Sequence, residues 1–369
     1  MKIILLSDCN SIHTQRWAIS LSKKKVNITI FSFFEPYEDN KAIYKKFKIN
    51  IVSPNLAKKI NNLSYPSLSK IRYLQSIFLL KKTIKNLKPD IIHAHYASSY
   101  GFIALLSGFK PFVTSAWGSD IYLFPKRNFV NFFIMKKIIN KSHKVFSTSN
   151  AMKNEIVENF KRDDIQVIPF GIDIDLFKPS KTKTEKFVVG TIKSIEKHNG
   201  IDCFLEAVEM IIHKHNKNIE FIIVGKGTEQ KLMEKKASDL KIGNNVNFLG
   251  FVPHHKTIDY FNELSIFVAV STRESFGVSV LEAAACEIPS ITSNIGGLVE
   301  VNKNGETGLI INPNNPKELA EAIIKLYENN KLRKILGRQA RERVIKYFNW
   351  ENNVIHQLDI YRKIAINDK

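Results

Sequence analysis

Residues 273–283, Arg-Glu-Ser-Phe-Gly-Val-Ser-Val-Leu-Glu-Ala, constrain this chain more than any other stretch. Residues 265–272 before it are a short apolar, β-branched run suited to a buried parallel strand, and residues 278–286 after it are good helix formers. Glu274 therefore falls in the loop and Glu282 on the helix. One helix through both would set them about 80° apart on its surface, so the two carboxylates address one ligand only where the helix starts between them. The amides of Ser275, Phe276, Gly277 and Val278 are then free to meet a phosphate.

At 369 residues the chain exceeds one ordinary core, and two domains are expected. No apolar run approaches the length of a membrane span. Residues 1–8 carry a charge and a short apolar stretch, but Asp8 ends it too soon for a signal peptide, and it reads as a first strand. Cys9, Cys203 and Cys286 are widely spaced, which argues against a disulfide framework or zinc site and fits a cytoplasmic location.

The net charge of +20 is lopsided: residues 1–180 hold 28 Lys and Arg against 12 Asp and Glu, whereas residues 181–369 hold 27 against 23. Two readings of the basic first half stand side by side: plain solvated surface in a Lys- and Asn-rich chain, or attraction to the inner face of an anionic plasma membrane. Nucleic acid lacks support, because no zinc-finger spacing, RNA-binding signature or aromatic-basic sheet pattern appears.

Short apolar runs at residues 26–34, 90–94, 111–115 and 145–148 alternate with amphipathic stretches such as 68–87, a βαβ rhythm. Residues 178–186 are polar with a proline and read as a linker. The rhythm then resumes, with strands expected at 187–192, 220–224, 246–249, 266–270 and 290–292 and helices at 202–213, 230–240, 317–327 and 350–364. The domains expected are 1–175, 176–348 and a terminal helix over 349–369. Ligands in such folds gather at the carboxyl ends of the strands, where Glu274, His93, His95, Trp117 and Asp120 fall.

Glu274 and Glu282 with Phe276-Gly277 between them resemble the donor signature of retaining family-4 glycosyltransferases of the GT-B fold. Asn294–Glu300 and Asn304–Gly308 are similar to the glycine segments that follow it in that family, and Ile223–Gly227, Asn247–Pro253 and Val167–Asp173 to segments that precede it. Six weak matches in the family's order make coincidence improbable. The resemblance implies two Rossmann-like α/β/α domains facing across a cleft, the first for the acceptor and the second for a nucleotide sugar, with the terminal helix crossing back to the first.

It also implies roles. Glu282 would accept from ribose hydroxyls, Glu274 from hydroxyls of the transferred sugar, and the backbone near Gly225, Gly227 and Val252 would approach phosphate or base; an acceptor-only carboxylate suits both tasks. Lys193 and Lys197 are assigned to the diphosphate, although Thr191 takes the family's usual Arg position and two residues separate Lys197 from Gly200. Glu300 is either a structural cap or a ligand. In the first domain Trp117 stands where many relatives carry a histidine; indole stacks and donates but is no base. His13, Arg16, His95 and Trp117 are assigned to the acceptor sugar and Asp120 to catalysis, while His93 and His95 remain open to a purely structural reading.

Asp173-Ile-Asp175 spells a metal motif of another glycosyltransferase fold, but its place at the linker argues against a metal site, and no cofactor is expected. Residues 122–139 mix aromatics with cations; since the apolar positions are not confined to one face, a buried helix with a basic edge is favoured over an interfacial one.

The expected activity is retaining transfer of a hexose or N-acetylhexosamine from a nucleotide-diphosphate sugar, UDP-linked by preference. The expected acceptor is a glycan, lipid-linked, of the cell surface. The alternatives are an epimerase or hydrolase on the same fold, or a non-catalytic sugar-nucleotide binding protein.

Overall fold

The computed structural model describes residues 1–56, 69–180, 186–215 and 218–367, and the chain forms two compact units: Met1–Ile168 with Glu351–Lys369, and Pro169–Trp350. Each is a parallel sheet between helices.

In the first unit the chain runs β1 (Lys2–Leu6), α1 (Ile12–Lys23), β2 (Asn27–Phe31), α2 (Glu38–Lys46) and β3 (Asn50–Val52). It continues through α3 (Ser69–Leu87), β4 (Ile91–His95), α4 (Tyr100–Ser107), β5 (Phe112–Ala116) and the short α5 (Ser119–Tyr122). Then come α6 (Phe129–Lys141), β6 (Lys144–Ser147), α7 (Asn150–Phe160) and β7 (Ile165–Val167). The strands order β3-β2-β1-β4-β5-β6-β7, all parallel. Every residue of β4 and β5 is buried, as central strands covered on both faces must be. The amphipathic stretch expected over 68–87 is α3 from Ser69; Leu68 lies outside the described residues.

The second unit holds β8 (Val188–Ile192), α8 (Ile201–His215), β9 (Glu220–Val224), α9 (Gln230–Asp239), β10 (Val246–Gly250) and α10 (Thr257–Glu263). After them run β11 (Ile266–Ala269), α11 (Val278–Ala285), β12 (Ser290–Ser293), α12 (Leu298–Val301) and β13 (Gly308–Ile311). Helices α13 (Pro316–Glu328) and α14 (Asn330–Tyr347) follow, and the strands order β10-β9-β8-β11-β12-β13. One core joins Val189, Phe204, Phe221, Ile223, Val268 and Ile323. The last helix, α15 (Trp350–Asn367), belongs to the first unit from Glu351 onward.

Cys9, Cys203 and Cys286 are buried thiols outside any disulfide. Among the described residues no helix is long and apolar enough to cross a membrane.

Candidate active site

In the second unit, Gly277 at φ 103° closes the loop after β11 and starts α11, so Glu274 precedes the helix and Glu282 sits in its second turn. A side chain at 277 would strain that left-handed backbone and bring a Cβ to 2.9 Å from Leu298. The loop is clamped from two sides. The Thr272 amide donates to the His198 carbonyl (2.9 Å), and the Gly297 amide donates to the Glu274 carbonyl (3.1 Å). At 297 a Cβ would stand 2.4 Å from the Phe276 Cα, so only glycine admits this approach.

The loops leaving neighbouring strands are stitched into one floor. Lys193 N–H donates to the Val224 carbonyl (2.9 Å), Ile195 N–H to Lys226 (3.1 Å) and Gly225 N–H to Gly250 (2.8 Å). A Cβ at 225 would fall 1.9 Å from the Lys193 carbonyl oxygen, and one at 227 would fall 2.1 Å from that of Ile195. These glycines thus serve backbone against backbone.

On that floor the Lys193 ammonium donates to Ser271 Oγ (2.7 Å) and is paired with the Glu274 carboxylate, both side chains largely buried. His198 is close enough to Arg273 and Lys193 that burial and these cations hold its pKa below the ordinary histidine value. Glu282 is 5% exposed, and its Oε1 lies 2.6 Å from His254 Nε2. His254 itself packs against the Phe177 ring, 5.4 Å between centroids. Sequence reasoning stopped at Pro253 and missed His254, although a histidine directly after the segment expected at the nucleobase is a usable signal. It missed His198 for lack of any motif.

Lys197 is placed differently from Lys193. It is exposed and lines a cavity of about 440 Å³ with Asp202, Met233 and Lys236, between α8 and α9. Phe276 is buried at 2% and its ring faces Phe170 and Phe348. Val252 lies in the turn between β10 and His254. Asp173 Oδ1 accepts from the Asp175 and Leu176 amides (3.1 and 3.0 Å), so the first carboxylate of the Asp-x-Asp triplet caps its own turn.

In the first unit four rings gather at the ends of β4 and β5. His95 lies 4.7 Å from Trp117 and 4.4 Å from His93, and His13 lies 5.8 Å from Trp117, all centroid distances. His93 is fully buried: Ser115 Oγ is 2.7 Å from its Nε2, and Tyr361 and Gln357 of α15 meet its Nδ1. Burial and His95 hold it neutral. Burial and His13 push His95 down to about 3, and its Nδ1 is a buried nitrogen without a hydrogen-bond partner among the described residues.

Asp120, also fully buried, accepts from the amides of Ala97 (2.8 Å), Gly118 (2.7 Å) and Trp117 (3.2 Å), which makes it a clasp between the β4 and β5 loops. Burial raises its pKa against the lowering effect of those amides. Arg16 is on α1, three residues after His13.

Residues 173–343 match the family profile of Glycosyl transferases group 1, and residues 2–149 that of Glycosyl transferase 4-like. The chain is a glycosyltransferase of the GT-B fold. It belongs to the group 1 glycosyltransferases, the retaining family 4.

An uncharacterized glycosyltransferase of Methanocaldococcus jannaschii is 28% identical over 90% of this chain and 89% of its own. N,N'-diacetylbacillosaminyl-diphospho-undecaprenol alpha-1,3-N-acetylgalactosaminyltransferase of Campylobacter jejuni is 29% identical, covering 84% of this chain and 86% of its own. Among solved structures, Anabaena HepE in complex with UDP has a TM-score of 0.82 at 19% identity, covering 98% of this chain and all of that one.

Proposed function

We propose that the enzyme transfers a hexose or N-acetylhexosamine from a UDP-sugar, with retention, to a lipid-linked glycan acceptor. The observation that carries the reading is the pair of carboxylates on either side of one helix start, each met by its own basic side chain: Glu274 by Lys193 and Glu282 by His254. A sugar nucleotide has two diols to hold, on the ribose and on the transferred sugar, and two buried acceptor-only groups suit them.

Between those groups the leaving diphosphate gains negative charge. Lys193 and the first amides of α11 compensate it, and because they are fixed in place before the reaction, no reorganisation is needed when the charge appears. Half-buried His13 and Trp117 give the first unit a surface for stacking an acceptor sugar, and behind them the buried His93 and His95, held below the ordinary histidine pKa, supply no strong base. The acceptor oxygen then bonds to the anomeric carbon on the face from which the diphosphate leaves, its proton passing to a phosphate oxygen as the bond from the anomeric carbon to the diphosphate breaks, which yields retention. A UDP donor and lipid-linked acceptor are favoured by the chemistry named for HepE and the Campylobacter enzyme.

The test is thermal stabilisation by nucleoside diphosphates and their sugars. UDP at about a hundred times its dissociation constant adds about 2.7 kcal/mol. A shift given by the uridine series and lost in Glu282→Ala supports the reading; a shift from another base alone, or from none, overturns it.

A further inference from the structure

Between residues 69 and 154 the chain holds 14 Lys and Arg but only two acids, Asp90 and Asp120. Both acids are occupied internally: Asp90 accepts from the Lys2 amide (2.7 Å), and Asp120 is the buried clasp described above. This span includes α3, α4 and α6, which pack side by side in the first unit. The cations of this outer surface come from α3 and α6, since α4 carries no charge; within the span Lys126, paired with Glu155 (2.7 Å), and Lys144, paired with Asp164 (3.4 Å), are neutralised from outside it.

The same surface carries large apolar side chains in water. Phe129 is 75% exposed, Val130 63% and Phe133 47%, at the first two turns of α6, with the Phe129 and Phe133 rings 4.2 Å apart. The apolar side chains of α6 divide between two faces: Met135, Ile138 and Ile139 are buried, as the sequence reading of a buried helix with a basic edge expects, while Phe129, Val130 and Phe133 face water. On α3, Phe78 is 77% exposed, and Lys81, Lys82 and Lys85 follow on its face at helical spacing. Leu106 of α4 is also exposed.

Exposed phenylalanines ringed by lysines match a bilayer interface, where rings enter the acyl boundary and ammonium groups meet anionic headgroups. A soluble partner with an acidic, apolar face is the competing occupant, but a cationic field carried by both α3 and α6, on either side of the uncharged α4, fits an extended anionic sheet better than a compact epitope. We infer that the α3–α4–α6 surface of the first unit docks the enzyme on an anionic membrane through Phe129 and Phe133, with Lys136 and Lys137 at their edge. The inference concerns where the enzyme works, and it deepens the lipid-linked acceptor reading on which it rests.

The experiment is co-sedimentation of the intact protein with phosphatidylglycerol–phosphatidylcholine vesicles and with pure phosphatidylcholine vesicles. Expected is binding to the anionic vesicles alone. It should fall about tenfold both in Phe129→Ser/Phe133→Ser and in Lys136→Glu/Lys137→Glu, with the UDP-induced thermal shift retained as the check on folding. The control pair Lys45→Glu/Lys46→Glu on α2 should bind like wild type. Equal loss in the control would mean diffuse attraction by net charge and overturn the assignment, as would wild type that ignores anionic vesicles. A phenylalanine variant that turns a dimer into a monomer, while vesicle binding is absent, would assign the surface to a second copy of the chain. Should vesicle binding fail while UDP still stabilises the fold, the donor reading stands and only the membrane surface falls.

Discussion

His254 Nε2 lies 2.6 Å from Glu282 Oε1, and it is the contact that orients a carboxylate otherwise buried in α11. One oxygen of the carboxylate is engaged while the other keeps its lone pairs, which leaves capacity for a diol. His254→Ala should weaken UDP binding about tenfold, the worth of one hydrogen bond to a charged group, and His254→Gln should recover part of it. Calorimetric titration with UDP decides; unchanged affinity in His254→Ala would mean Glu282 needs no help.

The two lysines assigned to the diphosphate should separate sharply. Lys193 is buried against Glu274 and Ser271, whereas Lys197 lines a cavity between α8 and α9. Lys193→Ala should lower kcat about a hundredfold, as loss of a fixed electrostatic donor does. Lys197→Ala should cost less than about tenfold, within the range of an exposed substitution. UDP release from the preferred donor measures both, and equal losses would return Lys197 to the site.

Removing the Asp120 carboxylate should be a stability lesion first. Asp120→Ala orphans the amides of Ala97, Trp117 and Gly118 and should destabilise the fold by about 3 kcal/mol, with the UDP-induced shift intact. Chemical denaturation of the variant checks it. A variant of wild-type stability without turnover would instead point to direct catalysis.

Acid should weaken the protein earlier than its carboxylates alone would allow. His93 and His95 have folded-state pKa values held below their unfolded ones, so the folded state excludes protons that the unfolded chain takes up. Their contribution is full above about pH 6.5 and declines below it, by about 1.4 kcal/mol per pH unit for each excluded proton. Asp120, raised by burial, acts in the opposite sense but only near the carboxylate range. Thermal midpoints between pH 7 and 5 should therefore fall, and His95→Phe should flatten the slope.

Transfer should survive EDTA. Asp173 spends its Oδ1 on the amides of Asp175 and Leu176, and in the proposed reaction the Lys193 ammonium takes the charge-balancing part a divalent ion would otherwise play. A rate abolished by chelator and restored by magnesium or manganese would contradict this.

The alternation of strands and helices was legible because parallel strands buried on both faces read as unbroken apolar runs, as in β1 and β9. Helix α14 was not: it buries only Leu336, Gly337, Ala340 and Val344, a stripe too thin to stand out, while Arg343 spans 2.8 Å to the Glu300 carbonyl. Within the site, Glu274 and Glu282 announced themselves by spacing around Gly277. The difference between Lys193 and Lys197 did not, since four residues along an irregular loop carry no facing information. His254 was passed over for another reason: its place after Pro253 hinted at a role, but its partner Glu282 lies 28 positions further on.

Tyr361 and Gln357 close on His93 across 268 and 264 residues. Vectorial synthesis gives this closure a timetable. The second unit is one uninterrupted segment and can complete its core as soon as it leaves the ribosome, whereas the first must hold His93 and its neighbours open until α15 arrives. The unit made first is thus the last to finish folding, and throughout that wait its unsealed core is the part of the nascent chain for chaperones to cover.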